Sequence, residues 1–294
     1  MQRFIDDCAP LVERVRAAEI IYTDLDGTLL GAGGTLLVDG QRHPSTRTAK
    51  ALVAIIKAGI PVVPVTGRSN FQLVEIVRMC GLYDFIGESG ALITWWTGTV
   101  REARYIAPLW DKSWLDGRTP FEVIRQTGAT AALLEKFKGQ LEYHSPWHEP
   151  REASELLRGR IDLQRAQEFL DTFEVPLEIV ENGAINPKVH TLDEPLPGGE
   201  TQMHAYHVVP AGVSKAVAIK LDLQRRGIDP QRALMIGDGM ADLQCAPSVG
   251  VALMVENALS SPNVVSGFDR YPNAALTHGA RGDGWAHMAQ LILS

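Results

Sequence analysis

Four short segments of this 294-residue sequence carry residues able to handle a charged oxyanion. Asp24-Leu25-Asp26-Gly27-Thr28 sets two carboxylates two residues apart, followed by a glycine that permits a sharp turn and close approach of a ligand. One carboxylate of such a pair can act as nucleophile or metal ligand and the other as acid and base. A turn or a helix cap is the competing use of Asp-Gly. Gly237-Asp238-Gly239-Met240-Ala241-Asp242 adds two acids four apart, hard oxygen donors suited to Mg²⁺, with helix capping again the alternative. Thr66-Gly67-Arg68 offers a hydroxyl and backbone N–H groups to an anionic oxygen, or else forms an ordinary strand-to-helix turn. Lys215, taken alone, reads as a solvated surface lysine.

What raises these segments above chance is where the chain puts them. Ile20 to Thr23 is an apolar, β-prone run that ends at Asp24. Ser45 or Thr46 can cap a helix with apolar residues at Ala49, Leu52, Val53 and Ile56, stopped by Gly59. Ile60 to Val65 is the next extended candidate, although its two prolines suit an edge or a bulged strand. Phe71 to Cys80 reads as a helix closed by Gly81, and 84–87 as a short strand. The same alternation returns late, with a helix from Lys215 to Arg226 and strands at 233–236 and 250–254. Alternating β and α implies a mostly parallel sheet covered by helices on both faces, and such sheets bind ligands at the carboxyl ends of their strands. Asp24, Asp26, Thr66, Lys215, Asp238 and Asp242 are then expected in one pocket. Four acids packed so closely repel one another unless a divalent cation and a lysine compensate, and the fitting ligand of that pocket is a phosphoryl group.

Composition narrows the remaining classes. The balance of 28 basic and 35 acidic residues gives a net charge of −7, without the basic footprint of a nucleic-acid binder. No uncharged stretch is long enough to span a bilayer, and the first residues turn acidic before any signal-peptide core, so neither a membrane span nor secretion is expected. Three scattered cysteines give no disulfide framework, and a reducing cytoplasm is the expected compartment.

Together the segments resemble the haloacid dehalogenase superfamily of phosphatases, specifically its Cof-type group, subfamily IIB. Motif one is similar to Asp24–Leu29, motif two to Val65–Arg68, motif three to Ser214-Lys215 and motif four to Gly237–Asp242, while Glu88-Ser89-Gly90-Ala91 resembles an E-N-G-A segment of that group. The resemblance implies an α/β fold, a Rossmann-like doubly wound parallel sheet in a catalytic core of 1–105 and 207–294. It also implies an inserted α+β, C2-type cap over 106–206 that sets specificity. Asp24 would be the nucleophile and Asp26 the acid and base. Mg²⁺ would sit on Asp24, Asp26 and Asp238, with Asp242 supporting it, and Thr66, Gly67 and Lys215 would hold the phosphoryl oxygens. Two departures stand out. Ala241 replaces an Asn usual in motif four, which removes a hydrogen bond behind the metal, and Ser89 replaces the usual Asn after Glu88.

Substrate contacts are expected from Arg68 and Glu88 and, in the cap, from His144, Arg151, Asn182, Lys188 and His190, while Tyr143 to His148 reads as an exposed loop anchored by its Trp or, as the alternative, as a sugar platform. A zinc site on His144 and His148 or on His204 and His207 is disfavoured by Pro146 and the lack of a nearby cysteine. The sequence thus points to a Mg²⁺-dependent phosphatase acting on a small phosphorylated metabolite, a monomer or small homo-oligomer. A phosphomutase and a catalytically weak phosphometabolite-binding protein are the alternatives.

Overall fold

The computed structural model describes residues 3–193 and 202–294. The chain forms two compact units. The first comprises the segment ending at Thr66 together with Val77–Ile86 and Lys215–Ser294, and the second comprises Gly67–Ile76 and Gly87–Ser214. The segments 67–76, 87–105 and 207–214 pack with the second unit.

The first unit is built on a five-stranded parallel sheet in the order Ala274–Leu276, Val251–Met254, Ala233–Gly237, Ile20–Thr23, Val62–Pro64. Every residue of these strands is buried, which is why they read as unbroken apolar runs. Neighbouring residues of the first strand show the cover on each face. Tyr22 bonds to the helix Lys215–Arg226, while the Thr23 hydroxyl accepts from the Trp285 indole of the helix Gly282–Leu293 at 3.1 Å. Successive strand residues point to opposite faces, so helices flank both and the sheet is doubly wound. The prolines of the second strand are tolerated because Ile21 donates to the Pro61 carbonyl and Val65 to the Thr23 carbonyl, and neither bond needs a proline N–H. In the helix Arg47–Lys57 it is the Ser45 hydroxyl that accepts from the Arg47 N–H, while Thr46 makes no side-chain cap bond. A 3₁₀ turn, Ile5–Asp7, precedes the helix Ala9–Arg16, which has Pro10 in its opening turn.

The second unit holds an antiparallel sheet in the order Leu141–Tyr143, Glu155–Gly159, Met203–Pro210, Leu177–Ile185. Helices Pro120–Thr127, Ala129–Lys136 and Leu163–Leu170 pack on it around Ile124, Leu133, Leu157, Leu170 and Val208. This is the α+β cap architecture. The stretch 151–173 combines a strand and a helix. Glu155–Gly159 is a fully buried strand between two partners, and the helix begins only at Leu163, where Asp162 accepts from the Arg165 N–H at 3.1 Å. Glu-Leu-Leu-Arg favours helix locally, but two ladders of hydrogen bonds and complete burial outweigh that propensity. No helix among the described residues is long and apolar enough to cross a membrane.

Candidate active site

The chain leaves the first strand in a tight turn. Leu25 and Leu29 are fully buried anchors, Thr28 and Leu30 donate back to the Leu25 carbonyl at 3.2 and 2.8 Å, and Gly27 takes φ +88°. A Cβ at Gly27 would lie 2.3 Å from Oδ2 of Asp238, so only glycine lets the two segments touch. Asp26 stands exposed at this mouth and adds to the negative potential at Asp238.

The ends of three strands and the start of one helix converge beside that turn. Lys215 Nζ donates to Asp24 Oδ1 at 2.9 Å and to Asp242 Oδ1 at 2.7 Å, all three side chains being buried. Asp24, Asp238 and Asp242 each bring a carboxylate oxygen within 4.8 Å of the others. The other oxygen of Asp242 accepts from the Asp238 and Gly239 N–H groups at 3.2 and 3.0 Å, so this acid caps its own helix and steadies the lysine at once. The capping reading of motif four therefore holds for Asp242. Burial, with Asp242 and Asp238 nearby, raises the Asp24 carboxyl above the usual range against the pull of Lys215. Burial and then Asp242 push Asp238 up to about 7. Burial opposes the Lys215 charge, but Asp24 and Asp242 together outweigh it and hold its pKa above the ordinary value. Three acids against one ammonium leave the cluster negative, and hard carboxylate oxygens at this spacing fit a small divalent cation. Thr66 ends the neighbouring strand and is buried, its N–H donating to the Ile86 carbonyl at 3.0 Å.

Asn257 was not singled out from the sequence. Its Nδ2 donates to Asp238 Oδ2 at 2.9 Å and to the Gly27 carbonyl at 3.0 Å, while its Oδ1 accepts from the Arg281 N–H at 2.7 Å. Asp238 thus receives a side-chain amide despite Ala241. The signal was available, since Asn257 follows another buried strand, Val251–Met254, at the same sheet edge.

Within the second unit, Glu88 and Arg151 come together. The Glu88 carboxylate accepts from the Glu152 and Ala153 N–H groups at 2.9 and 3.0 Å and from the Ser154 hydroxyl at 2.8 Å, with the buried Arg151 guanidinium 3.4 Å away. Arg151 also donates to the Gly67 carbonyl at 2.8 Å. Gly67 lies tight against Asn182 and His207, its missing Cβ 2.3 Å from Asn182 Nδ2 and 2.8 Å from His207 Nε2. Arg68 accepts the Glu88 N–H through its carbonyl at 3.0 Å. Glu88 and Ser89 both take left-handed φ values, 50° and 59°, a conformation in which Asn is more comfortable than Ser. The Glu88 bonds hold that turn, and the Ser89 hydroxyl is buried with no hydrogen-bond partner among the described residues. His144 and Lys188 line a separate cavity of about 390 Å³ with Trp147 and Arg158, and half-buried His190 follows on the same loop. Burial, then Arg158 and Arg151, lowers the His144 pKa to about 4.

The fold is α/β, with one buried lysine and three converging carboxylates at the carboxyl edge of its parallel sheet. A sequence model of the haloacid dehalogenase-like hydrolases matches residues 21–109 and 193–264, more than half of the chain, and the chain belongs to that family. Among solved structures, a haloacid dehalogenase-like hydrolase from Bacteroides thetaiotaomicron is 17% identical with a TM-score of 0.58, covering 94% of this chain and 99% of that one. Sucrose-phosphatase from Synechocystis, solved with sucrose and phosphate, is 15% identical with a TM-score of 0.58, covering 92% and 98%. A chloroplastic protein of Arabidopsis thaliana named endoribonuclease YBEY is 24% identical over 257 residues, 79% of this chain, and the chain spans only 41% of that protein's length.

Proposed function

We propose that the protein is a Mg²⁺-dependent phosphatase that hydrolyses a small phosphorylated metabolite, a sugar phosphate, through an aspartyl-phosphate. The observation that carries this reading is Lys215, clamped between Asp24 and Asp242 beside Asp238 at the carboxyl ends of the parallel strands. Asp24, Asp238 and the backbone carbonyl of Asp26 would hold the cation, with Asp242 steadying Lys215 and Asn257 steadying Asp238. When bound, the cation screens the carboxylates from the incoming phosphoryl oxygens and draws charge from phosphorus.

The Asp24 oxygen attacks phosphorus in line, the bond to the leaving oxygen breaks, and Asp26, standing at the exposed mouth, gives that oxygen a proton. Asp26 then takes a proton from water, whose oxygen attacks the aspartyl-phosphate and frees inorganic phosphate and Asp24. Lys215 and Thr66 stabilise the transferring oxygens, a role worth about 2.7–4 kcal/mol per donor at measured oxyanion sites. The choice of a sugar phosphate rests on the aromatic and polar stretch Tyr143–His148 and on the similarity of fold to a sucrose-phosphatase. We place the protein in the cytoplasm as a monomer or small homo-oligomer. The free state of Cys8, Cys80 and Cys245 agrees with a reducing compartment.

The test is phosphate release from a panel of sugar phosphates and an aryl phosphate, with Mg²⁺ or with excess chelator, for wild type and Asp24→Asn. Release that needs Mg²⁺ and disappears in the variant is expected. Transfer to a second substrate hydroxyl without free phosphate would make the protein a mutase, and no release from any substrate would refute hydrolysis.

A further inference from the structure

The strand Ile20–Thr23 and the helix Lys215–Arg226 are joined by polar contacts at two levels, and only the outer one has been given work to do. At the outer level Lys215 meets Asp24. At the inner level the fully buried Tyr22 hydroxyl donates to Asp222 Oδ2 at 2.7 Å, and Asp222 is itself fully buried. The repeats of both elements enforce this pairing. Tyr22 and Asp24, two apart, share one side of the strand, whereas Lys215 and Asp222, seven apart, share one face of the helix two turns from each other. The inner contact is extended further: Arg226 Nε donates to Asp222 Oδ2 at 2.7 Å and Arg226 Nη2 to Asp84 Oδ2 at 2.6 Å. Burial, then Asp222, raises the Tyr22 phenol above its ordinary value, so it stays a donor through the working pH range.

The rest of this helix face is Ala218, Ile219 and Leu223, whose apolar contacts are non-directional and tolerate small slips along the strand. A hydrogen bond between fixed partners does not, because it weakens steeply with distance and angle. Lys215 is the first residue of the helix, so any slide or rotation of the helix moves its ammonium away from Asp24 and Asp242.

We infer that Tyr22, Asp222 and Arg226 are positioning residues, a lock on the register between strand and helix that holds Lys215 at the phosphoryl site. The inference rests on the phosphatase reading for its kinetic consequence, but its structural consequence can be read without turnover. The test compares Tyr22→Phe and Asp222→Asn with Val15→Ala, a buried truncation in another helix that lowers stability without touching the lock. Two readouts are taken: kcat and KM on an aryl phosphate with Mg²⁺, and the ¹⁵N resonance of the Lys215 ammonium, assigned by its loss in Lys215→Met. Both lock variants are expected to lose about 10-fold or more in kcat with KM within about twofold, since a misplacement of 1 Å can cost about 100-fold. Their Lys215 ammonium signal should shift or broaden while Val15→Ala keeps it. The inference is overturned if the lock variants keep the wild-type signal, or lose no more kcat than Val15→Ala at equal thermal stability. Should wild type itself release no phosphate, the phosphatase reading fails, and the ammonium signal alone decides: altered in the lock variants it supports the lock, unaltered it removes it.

Discussion

Replacing Lys215 by Met tests the electrostatic logic of the site directly. The ammonium lies 2.9 Å from Asp24 and 2.7 Å from Asp242, and all three groups are buried. Met keeps the stem and removes the charge, leaving two carboxylates without the partner that compensates them and Asp238 close by. Removing one member of a buried ion pair costs about 3–5 kcal/mol, so the first unit should lose about that much at neutral pH in the presence of chelator. Trp285 offers a clean reporter, being the one tryptophan of six in that unit, with its indole N–H bonded to Thr23. Exchange of that N–H under native conditions reads the opening free energy of the unit. Mg²⁺ should return more stability to the variant than to wild type, because the cluster is one charge more negative, and about 2.7 kcal/mol is available at 100 times the dissociation constant. Activity should nevertheless fall about 100- to 1000-fold, since the cation replaces the lost charge but not the donor to the phosphoryl oxygens. A loss under about 1 kcal/mol with chelator, together with equal Mg²⁺ increments in the two proteins, would refute the claim that Lys215 compensates these acids.

Gly27→Ala should abolish Mg²⁺-dependent stabilisation and turnover, because its Cβ would sit 2.3 Å from Asp238 Oδ2; Gly33→Ala, at a similar φ of +81° with nothing within 4 Å, should cost only about 1–2 kcal/mol of unfolding free energy and spare activity. Asn257→Ala removes the amide that orients Asp238, and calorimetric titration should show Mg²⁺ affinity about 10- to 100-fold weaker. Arg151→Met strands the buried Glu88 carboxylate and should destabilise the second unit by about 3–5 kcal/mol in denaturant melts, with part of the loss recovered in the double variant with Glu88→Gln. His144 carries a folded pKa of about 4, below its unfolded value, so the unfolded chain binds more protons as pH falls below about 6.5. Stability of the second unit should therefore drop between about pH 6.5 and 4, and His144→Gln should flatten that part of the profile.

The parts of this molecule that were legible in the sequence are those where one residue's environment is set by its immediate neighbours. A run such as Ile20-Ile21-Tyr22-Thr23 is buried on both faces and can hardly be anything but an interior strand, and an acid at its carboxyl end must emerge at the sheet edge. Glu155 to Gly159 is the opposite case. Its composition favours helix, and nothing local reveals that strands at Leu141–Tyr143 and Met203–Pro210 stand ready to pair with it on both sides. Glu88, Arg151, Asn182 and Gly67 were noted one by one, but the buried cluster they form depends on chain segments up to more than a hundred residues apart. Asn257 shows a third situation. The strand-end rule that found Asp24 and Asp238 reaches it as well, yet a lone Asn in a loop draws no attention beside an acid.

Tyr22 and Asp222 carry the point furthest, because each looks misplaced by itself: a phenol inside an apolar strand and a carboxylate in the buried stripe of a helix. A buried carboxylate without partners costs several kcal/mol, so its presence requires that something reach it, and the two sequence periods leave few residues able to do so. Tyr22 lies one strand repeat before Asp24, and Asp222 two helix turns after Lys215. A buried polar residue two positions before a strand-end carboxylate, together with one seven positions after a helix-start lysine, is thus a readable signature of a strand and helix held in fixed register. The outer ion pair and the inner hydrogen bond are one arrangement repeated at two depths, and the inner copy, sealed from solvent, gives directional restraint to the outer copy, where the proposed phosphoryl site lies.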